Sequence, residues 1–216
     1  MKLADILQNK NLLDENYTLL GTGGYAKVYL IDEERVLKIS DHKSDGFRHV
    51  ATLPSHKRKE IGFVNIHESF LDNESELMYF LTERLYPLSV SQEQEKSIKR
   101  INAQLCEHDY SFDFLQYNEI EQDIINKSLK LKLYMPSHLD YDWDIHPSNL
   151  MVTKDGQIRL SDPIAECMPV LKEEYTAELT KQIIDDKNMI ADFLNTQSTQ
   201  TLKMAESKFK KSSGLI

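Results

Sequence analysis

Hydrophobic and β-branched residues alternate with polar residues along much of the first 85 positions, as they do in half-buried strands. The alternation predicts strands in four stretches: residues 17–31, 35–40, 63–70 and 77–82. Glycines divide the first stretch into two strands, which makes about five strands in all. Apolar spacing also predicts a short leading helix or strap over residues 1–13, and a helix from Ser44 to Leu53 that Pro54 stops.

The rest of the chain shows the apolar spacing of amphipathic helices. Helices are predicted at Glu93–His108, Phe112–Leu133 and Lys172–Leu194. Their apolar residues form core stripes and receive no chemical role. The chain is therefore predicted to be an α+β protein, with an antiparallel sheet of about five strands in its first part and a small helical second part.

The composition is that of an ordinary globular protein, with 216 residues of which 40% are hydrophobic and 28% charged. No apolar stretch is long enough to cross a bilayer, and the N-terminal MKLADILQNK lacks the apolar core of a signal peptide. A cytoplasmic protein without membrane contact is expected. Cys106 and Cys167 stand far apart with no neighbouring ligands, so neither a disulfide framework nor a zinc site is indicated.

A net charge of −9 argues against general nucleic-acid binding, which depends on clustered Lys and Arg. Two local basic stretches stand out, at residues 56–59 and 203–211. Each is interpreted first as a solvated face, with a docking patch for an acidic protein partner as the alternative.

The segment DIHPSNLMVTKDGQIRLSD indicates chemistry, because Asn149 follows Asp144 by five residues and Asp162 follows it by eighteen. In-line phosphoryl transfer needs one carboxylate at the acceptor hydroxyl, and an amide oxygen with a second carboxylate for divalent ions. Asp144, Asn149 and Asp162 would fill these roles in that order. The alternative is a hairpin whose Asp, Asn and Gly residues serve only its turns.

Two features of the first part of the chain support this interpretation. Gly21, Gly23 and Gly24 interrupt a strand-like run, and such a loop lets backbone amides approach a polyphosphate. Lys38 lies inside the apolar strand at residues 35–40, where an ammonium needs an anionic partner. The alternatives are a hairpin that needs glycine for positive φ, and an edge-strand lysine that points to water.

Together these segments resemble the protein-kinase-like superfamily, in which a glycine-rich loop, a strand lysine, a D-x-x-x-x-N loop and a terminal Asp follow in this order. The chain departs from protein kinases where Asp142-Trp143-Asp144 replaces H-R-D and Asp162-Pro163-Ile164 replaces D-F-G. His146 makes the loop similar to that of aminoglycoside-type small-molecule kinases, and the D-P-I ending is similar to that of small kinases of phages and bacteria. No A-P-E motif is visible after Asp162, so the resemblance implies a truncated bilobal fold.

The resemblance implies two lobes, residues 1–85 and 86–216, with ATP and Mg²⁺ as cofactors. The catalytic residues would be Asp144, Lys38 and His146, and the metal ligands would be Asn149 and Asp162. The nucleotide would contact the loop, the strands beside it and the hinge between the lobes: Gly21, Thr22, Gly23, Gly24, Tyr25, Ala26, Val28, Lys38, Glu83 and Leu85. Val28 would lie over the adenine, and backbone groups of Glu83 and Leu85 would bind its edge.

One part of the family pattern is missing, namely the helix-borne glutamate that pairs with the strand lysine. The acids between Lys38 and the next strand are Asp41, Asp45 and Glu60. Asp41 is too close in sequence to fold back easily, Asp45 has the ordinary position of a helix cap, and Glu60 lies in a basic stretch predicted as loop. We therefore expect Asp162 or the nucleotide, rather than a glutamate, to satisfy Lys38.

Three functions fit these motifs. The first is an ATP-dependent kinase acting on hydroxyl groups, with Ser or Thr of a partner protein as substrate. The second is a small-molecule kinase, favoured by His146 and opposed by the short second lobe. The third is a pseudokinase that binds a nucleotide or a partner without turnover, favoured by the altered triplets and opposed by the presence of the base and metal residues. Trp143 replaces an arginine that would bind a phosphorylated activation segment, so activity without such phosphorylation is expected.

Overall fold

A computed structural model of the chain describes residues 2–8, 13–41, 43, 45–136, 139–169 and 181–197. The basic stretch at residues 203–211 and the start of the helix predicted from Lys172 lie outside the described residues.

Five antiparallel strands form the principal sheet. The strands are β1 (Thr18–Thr22), β2 (Ala26–Leu30), β3 (Arg35–Ser40), β4 (Ile66–Leu71) and β5 (Met78–Glu83). They lie in the order β1-β2-β3-β5-β4, so β3 is the central strand. The predicted five-stranded antiparallel sheet is thereby confirmed.

One boundary of this sheet differs from its prediction. The strand predicted from Phe63 begins at Ile66, because Phe63 and Val64 are buried and turn towards another part of the chain. Phe63 forms a parallel bridge with Leu160, and the Val64 amide donates to the Leu160 carbonyl at 3.2 Å. Phe63 and Val64 are apolar because they belong to the core. The alternation of apolar and polar residues does not by itself distinguish such a core segment from a strand.

The central strand presents different residues to its two faces, because successive side chains of a strand alternate. On one face Leu37 is fully buried beneath the short helices α1 (Leu3–Leu7) and α2 (Leu13–Asn16). On the other face lies Lys38, whose register partner Phe80 packs on Phe47 of helix α3 (Gly46–Ala51). The central strand is thus covered on both faces, and the lysine lies under α3.

Pro54 separates α3 from a second short helix, α4 (Ser55–Glu60). The helix predicted to stop at Pro54 is confirmed, whereas the expectation of a loop around Glu60 is wrong. Helix α4 buries none of its side chains, so it has no apolar periodicity to reveal it. Its Lys, Arg and Glu residues favour helix, and a proline is well tolerated where a helix begins.

The second part of the chain combines helices with two small sheets. The helices are α5 (Gln92–Cys106) and α6 (Glu119–Tyr134). The strands are β6 (Tyr86–Pro87), β7 (Leu139–Trp143), β8 (Leu150–Val152), β9 (Ile158–Leu160) and β10 (Ile164–Pro169). They form a sheet of order β6-β8-β9 and a pair of β7 with β10. These short strands carry the predicted phosphotransfer residues at their ends.

Helix α6 starts later than its predicted beginning at Phe112. Asn118 and Glu121 form a capping box that starts the helix at Glu119, and the preceding Phe114–Gln116 segment is a separate 3-10 turn. A further helix, α7, covers the described residues 181–197 and buries Ile190.

One apolar core runs from the underside of the principal sheet into the helices. It contains Phe47 and Phe80 beside Ile98 of α5 and Ile124 of α6, so the predicted core stripes are confirmed within both helices. Leu115, which the apolar spacing predicts to belong to the second stripe, lies in the 3-10 turn before α6 and is 96% exposed, so its prediction is wrong. Strand β9 is joined to the segment after α4, because the Leu160 amide donates to the Gly62 carbonyl at 2.9 Å. None of the described helices has the length and apolar character that crossing a membrane requires.

We predict that Gly46→Ala destabilises the fold. A Cβ at Gly46 would lie 2.3 Å from the carbonyl oxygen of Ile164, so α3 and β10 would have to separate. Such overpacking costs about 1–3 kcal/mol, which exceeds the gain of about 1 kcal/mol that alanine offers within a helix. Urea unfolding measures the change.

Gly24→Ala is the matched control, because a Cβ there meets nothing within 4 Å and its φ is not positive. The control should leave the free energy of unfolding within about 0.5 kcal/mol of the wild type. Equal stability of the two variants would contradict the tight packing of α3 on β10.

Candidate functional site

Lys38 is a buried cation at the centre of the principal sheet. Its side chain is 9% exposed, and its Nζ donates to Asp162 Oδ2 at 2.7 Å. The ammonium also lies 3.8 Å from the centre of the Phe47 ring. The alternative of an edge-strand lysine facing water is wrong, because β3 has a neighbour on each side. The expectation that Asp162 satisfies Lys38 is confirmed.

Asp162 follows β9 and faces both the lysine and open space. Its side chain is 35% exposed, yet its Oδ1 is buried without a hydrogen-bond partner. Burial raises the pKa of Asp162, the Lys38 ammonium opposes this shift, and the charges of Asp45 and Asp144 add to it. A carboxylate surrounded by two other acids, with one oxygen unsatisfied, is well suited to receive a cation.

Asp144 and Asn149, which are five residues apart in the sequence, are hydrogen-bonded to each other. The Asn149 Nδ2 donates to Asp144 Oδ2 at 2.8 Å and lies 3.0 Å from the Asp144 carbonyl oxygen. This orientation leaves Asn149 Oδ1 as the amide atom available to another ligand. The Asp144 amide in turn donates to the Pro163 carbonyl at 2.9 Å, which joins this loop to the residue that follows Asp162.

His146 contacts the same aspartate. Its Nε2 lies 3.2 Å from Asp144 Oδ1, while its Nδ1 lies 2.7 Å from Ser148 Oγ. The side chains of His146 and Asp144 are each 38% exposed, so both can be reached from solvent. The structure therefore forms two groups of direct contacts, Lys38 with Asp162 and Asp144 with Asn149 and His146. The hydrogen bond from the Asp144 amide to Pro163 holds the two groups together.

The glycine-rich loop is the turn between β1 and β2. Its glycines do not adopt positive φ, and a Cβ at Gly21 or Gly24 would meet nothing within 4 Å. The alternative of a hairpin that needs glycine for positive φ is therefore wrong. Among the described residues, neither a positive φ nor close packing requires these glycines, and their backbone is left open to an approaching group.

The tip of this loop is tied to β10. The Tyr25 hydroxyl donates to Glu166 Oε1, and this hydrogen bond raises the pKa of Tyr25. Sequence reasoning missed Glu166, since nothing in its neighbourhood marks it and its role depends on β10 passing beneath the loop.

The two residues predicted for the hinge lie at the end of β5. The Glu83 amide donates to the Asn65 carbonyl at 2.9 Å, so this amide is not available to a ligand. The Glu83 carbonyl accepts from the Thr82 hydroxyl at 3.3 Å, which leaves its second lone pair for a ligand. The Glu83 carboxylate accepts from the Asn65 amide at 2.8 Å and from Arg159 Nε at 3.0 Å. Glu83 thereby ties β5 to β9, a side-chain role that the sequence did not indicate. Leu85 packs against the principal core.

Asp45 is a second carboxylate for which the sequence predicted no role beyond a helix cap. Its Oδ1 accepts from the Phe47 amide at 2.9 Å, which confirms the predicted helix cap. Its Oδ2 is also buried without a hydrogen-bond partner, although the residue is 2% exposed. Glu60 instead accepts from the Tyr134 hydroxyl, so the expectation that it does not pair with Lys38 is confirmed.

The donor set fits a magnesium ion that shares its coordination with a phosphate. Mg²⁺ is bound through one or two protein carboxylates together with substrate phosphates and water. The unsatisfied Asp162 Oδ1 and the free amide oxygen of Asn149 are suitable donors. Among the described residues, no group of three or more His, Cys, Asp or Glu side chains could hold a metal. A metal here would therefore need ligands from the substrate.

Two other clefts lie away from these residues. One of about 660 Å³ is lined by the N-terminal turns of α5 and α6, and one of about 440 Å³ lies between α6 and the turn at Gly156. Neither is lined by Lys38, Asp144 or Asp162. The candidate site is therefore identified by the chemistry of its side chains and does not coincide with either of these clefts.

No protein-family model and no curated protein matches the chain. Among solved structures, the Legionella pneumophila Lpg2603 kinase bound to IP6 is similar to it, with a TM-score of 0.37 and 13% sequence identity. The match covers 84% of this chain and 60% of that one, so this chain spans less than two thirds of that protein. With so low an identity, the function is argued from the site itself.

We predict that Lys38 and Asp162 are energetically coupled in the protein without ligand. Lys38→Met and Asp162→Asn should each destabilise it, because the first leaves the partly buried Asp162 carboxylate unpaired and the second leaves the buried Lys38 ammonium unpaired. The double variant should be more stable than the sum of the two losses indicates, by about 1–3 kcal/mol. Urea unfolding of the four proteins gives this coupling energy, and purely additive losses would contradict the pair.

Proposed function

We propose that the protein is an ATP-dependent phosphotransferase with a truncated, bilobal kinase-like fold. The observation that carries the proposal is the buried Lys38 bonded to Asp162, with Asp144 and Asn149 hydrogen-bonded beside them. A cation for phosphates, two oxygen donors for a metal and a carboxylate for the acceptor are the groups that phosphoryl transfer requires. The proposed lobes are residues 1–85 and 86–216.

In this proposal the nucleotide phosphates lie between the glycine-rich loop and Lys38. The loop contributes Gly21, Thr22, Gly23, Gly24, Tyr25 and Ala26. The Gly23 amide donates to the Ala26 carbonyl at 2.8 Å, so the phosphates would meet the other backbone groups of the loop. Support comes from the open space above Gly21 and Gly24. The adenine would contact Val28, the Glu83 carbonyl and the backbone of Leu85.

Asp144 is proposed to orient the acceptor hydroxyl and to accept its proton. Asn149 fixes the carboxylate through its Nδ2, and His146 contacts the other carboxylate oxygen. A group that must meet an external hydroxyl has to be accessible, and Asp144 is 38% exposed. Phosphoryl transfer then needs the hydroxyl oxygen to lie in line with the leaving group.

Asp162 and Asn149 are the residues proposed to hold Mg²⁺. When bound, the ion would neutralise the charge that develops on the transferred phosphoryl group and its leaving group. Lys38 would retain the phosphates through its ammonium. Because ATP is abundant in the cytoplasm, the proposal includes a cytoplasmic location.

A serine or threonine of another protein is the first candidate for the acceptor. The exposure of both Asp144 and His146 favours an acceptor that approaches the site from outside. A small-molecule alcohol is the second candidate, and the contact of His146 with Asp144 favours it, since a histidine there can also orient a small hydroxyl.

Incubation with γ-labelled ATP and Mg²⁺ tests the proposal, in a cell lysate and with a panel of small alcohols and aminoglycosides. Label on a protein supports the first acceptor, and label on a small molecule supports the second. ATP binding without any transfer would favour a nucleotide-dependent binding module. Absence of ATP binding would overturn the proposal.

We predict that Asp144→Asn and Asp162→Asn both abolish measurable transfer for different reasons. Loss of the general base at Asp144 should lower kcat by about 10²- to 10⁴-fold and leave ATP affinity near the wild-type value. Loss of the Asp162 carboxylate should also weaken Mg²⁺-dependent ATP binding. Transfer assays and calorimetry separate the two effects, and near-normal turnover of Asp144→Asn would exclude it as the base.

We predict activity that is independent of prior phosphorylation. A phosphorylated activation segment needs a cation beside the catalytic aspartate, and that position holds Trp143, which is buried and packs edge-on against Tyr141. Phosphatase-treated protein should therefore transfer phosphate at the untreated rate. Loss of activity after treatment, with recovery on rephosphorylation between Pro163 and Tyr175, would contradict this.

A further inference from the structure

Asn102 is a side chain of helix α5 that contacts the backbone of the predicted catalytic loop at residues 144–149. Its Oδ1 accepts a hydrogen bond from the Ile145 amide at 2.7 Å, and the two residues are 43 positions apart in the sequence. Ile145 is 1% exposed, so its amide needs a partner within the protein. The site residues predicted from the sequence do not include Asn102.

The Ile145 amide belongs to the same peptide group as the Asp144 carbonyl. This carbonyl accepts a hydrogen bond from Asn149 Nδ2 at 3.0 Å. Two asparagine side chains therefore bind the two polar groups of one peptide plane, Asn102 at its N–H and Asn149 at its C=O. Because a peptide group is planar, hydrogen bonds on its two sides restrict its rotation about the chain direction.

The orientation of this peptide group sets the direction of the Asp144 side chain. The peptide group before Asp144 is held as well, because the Asp144 amide donates to the Pro163 carbonyl at 2.9 Å. With the backbone held on both sides of the Asp144 Cα, the direction of its Cα–Cβ bond is restricted too. A catalytic group must stay within a fraction of an ångström of its productive position.

Helix α5 is a rigid base for the contact with the loop. Its apolar side is fully buried in the principal core through Ile98, Ile101 and Leu105. One turn after Asn102, the Cys106 Sγ lies 3.9 Å from the Trp143 carbonyl oxygen. The last turns of α5 thus contact the backbone both before and after Asp144.

We propose that Asn102 is the positioning residue for Asp144: it holds the peptide group that follows the proposed base and so keeps the carboxylate where the acceptor hydroxyl must meet it. This role rests on the proposed function. In this role Asn102 touches neither the nucleotide nor the acceptor, so its loss should slow transfer without weakening the binding of ATP.

The kinetic test compares the wild type with Asn102→Ala and Asn102→Asp. Alanine removes the acceptor and favours helix, whereas aspartate keeps an oxygen that can accept from the Ile145 amide. Transfer from γ-labelled ATP with Mg²⁺ is measured as label on lysate proteins, on small alcohols and in released phosphate. Asn102→Ala should transfer about 10- to 100-fold more slowly, because the base is misplaced.

The affinity for ATP separates this role from general damage to the fold. Calorimetry should give Asn102→Ala a Kd for ATP within about twofold of the wild type, since a loss confined to the transition state lowers kcat alone. Asn102→Asp should restore the transfer rate to within about threefold of the wild type, because it restores the acceptor.

Hydrogen exchange at the Ile145 amide measures the anchor without turnover. The amide should exchange at least about tenfold faster in Asn102→Ala than in the wild type, because it has lost its hydrogen bond. Asn102→Asp should exchange as the wild type does. Unchanged exchange in Asn102→Ala would show that Asn102 does not hold this peptide group and would overturn the proposal.

Gln104→Ala is the matched control. Gln104 lies on the same helix, and its side-chain amide donates to Asp109 Oδ2 at 3.3 Å and to the Ser111 carbonyl at 3.4 Å. Neither partner belongs to the catalytic loop, so the control should transfer phosphate at the wild-type rate. Equal slowing by the control would assign the effect to the helix as a whole and overturn the proposal.

A wild-type transfer rate in Asn102→Ala would overturn the role of Asn102 and leave the proposed function intact. A loss of ATP affinity as large as the loss of rate, or a rate that Asn102→Asp does not restore, would also overturn it. A wild type that transfers phosphate to no acceptor would overturn both proposals. If Asn102→Ala does not fold, Asn102→Leu, which also lacks the acceptor and favours helix, is measured with the same criteria.

Discussion

The ion pair between Lys38 and Asp162 connects the principal sheet with the second part of the chain. One partner comes from the central strand of the principal sheet, and the other follows a short strand in the second part of the chain. The lysine is buried, and its ammonium needs an anion for the fold to tolerate it. The pair therefore brings the glycine-rich loop, β3 and the predicted catalytic loop into one site.

The packing of helix α3 on strand β10 helps to fix the position of this ion pair. Gly46 allows the helix backbone to approach Ile164, and Phe47 fills the space between the helix and the underside of the sheet. As a result the lysine lies between an aromatic ring and the Asp162 carboxylate. The six residues of α3 are sufficient for this packing, because the close contacts come from Gly46 and Phe47 in the first turn of the helix.

Other parts of the site are held by polar contacts between side chains. Tyr25 joins the loop tip to Glu166, and Glu83 joins the end of β5 to Arg159. Both contacts join elements that are distant in sequence, so the positions of the loop and of the end of β5 depend on the second part of the chain.

The sequence by itself determined the strands of the principal sheet and the core stripes of α5 and α6, because periodicity is a local property of the chain. That Asp144, Asn149 and Asp162 meet near Lys38 was an expectation from the family resemblance, which periodicity does not supply. The sequence did not determine helix α4, which has no apolar face, or the late start of α6, which depends on a capping box. Only the tertiary structure decided that Glu83 and Glu166 have partners near the site. These partners, Arg159 and Tyr25, are distant in sequence, and a carboxylate reveals its role only when folding shows which cation, amide or hydroxyl it meets.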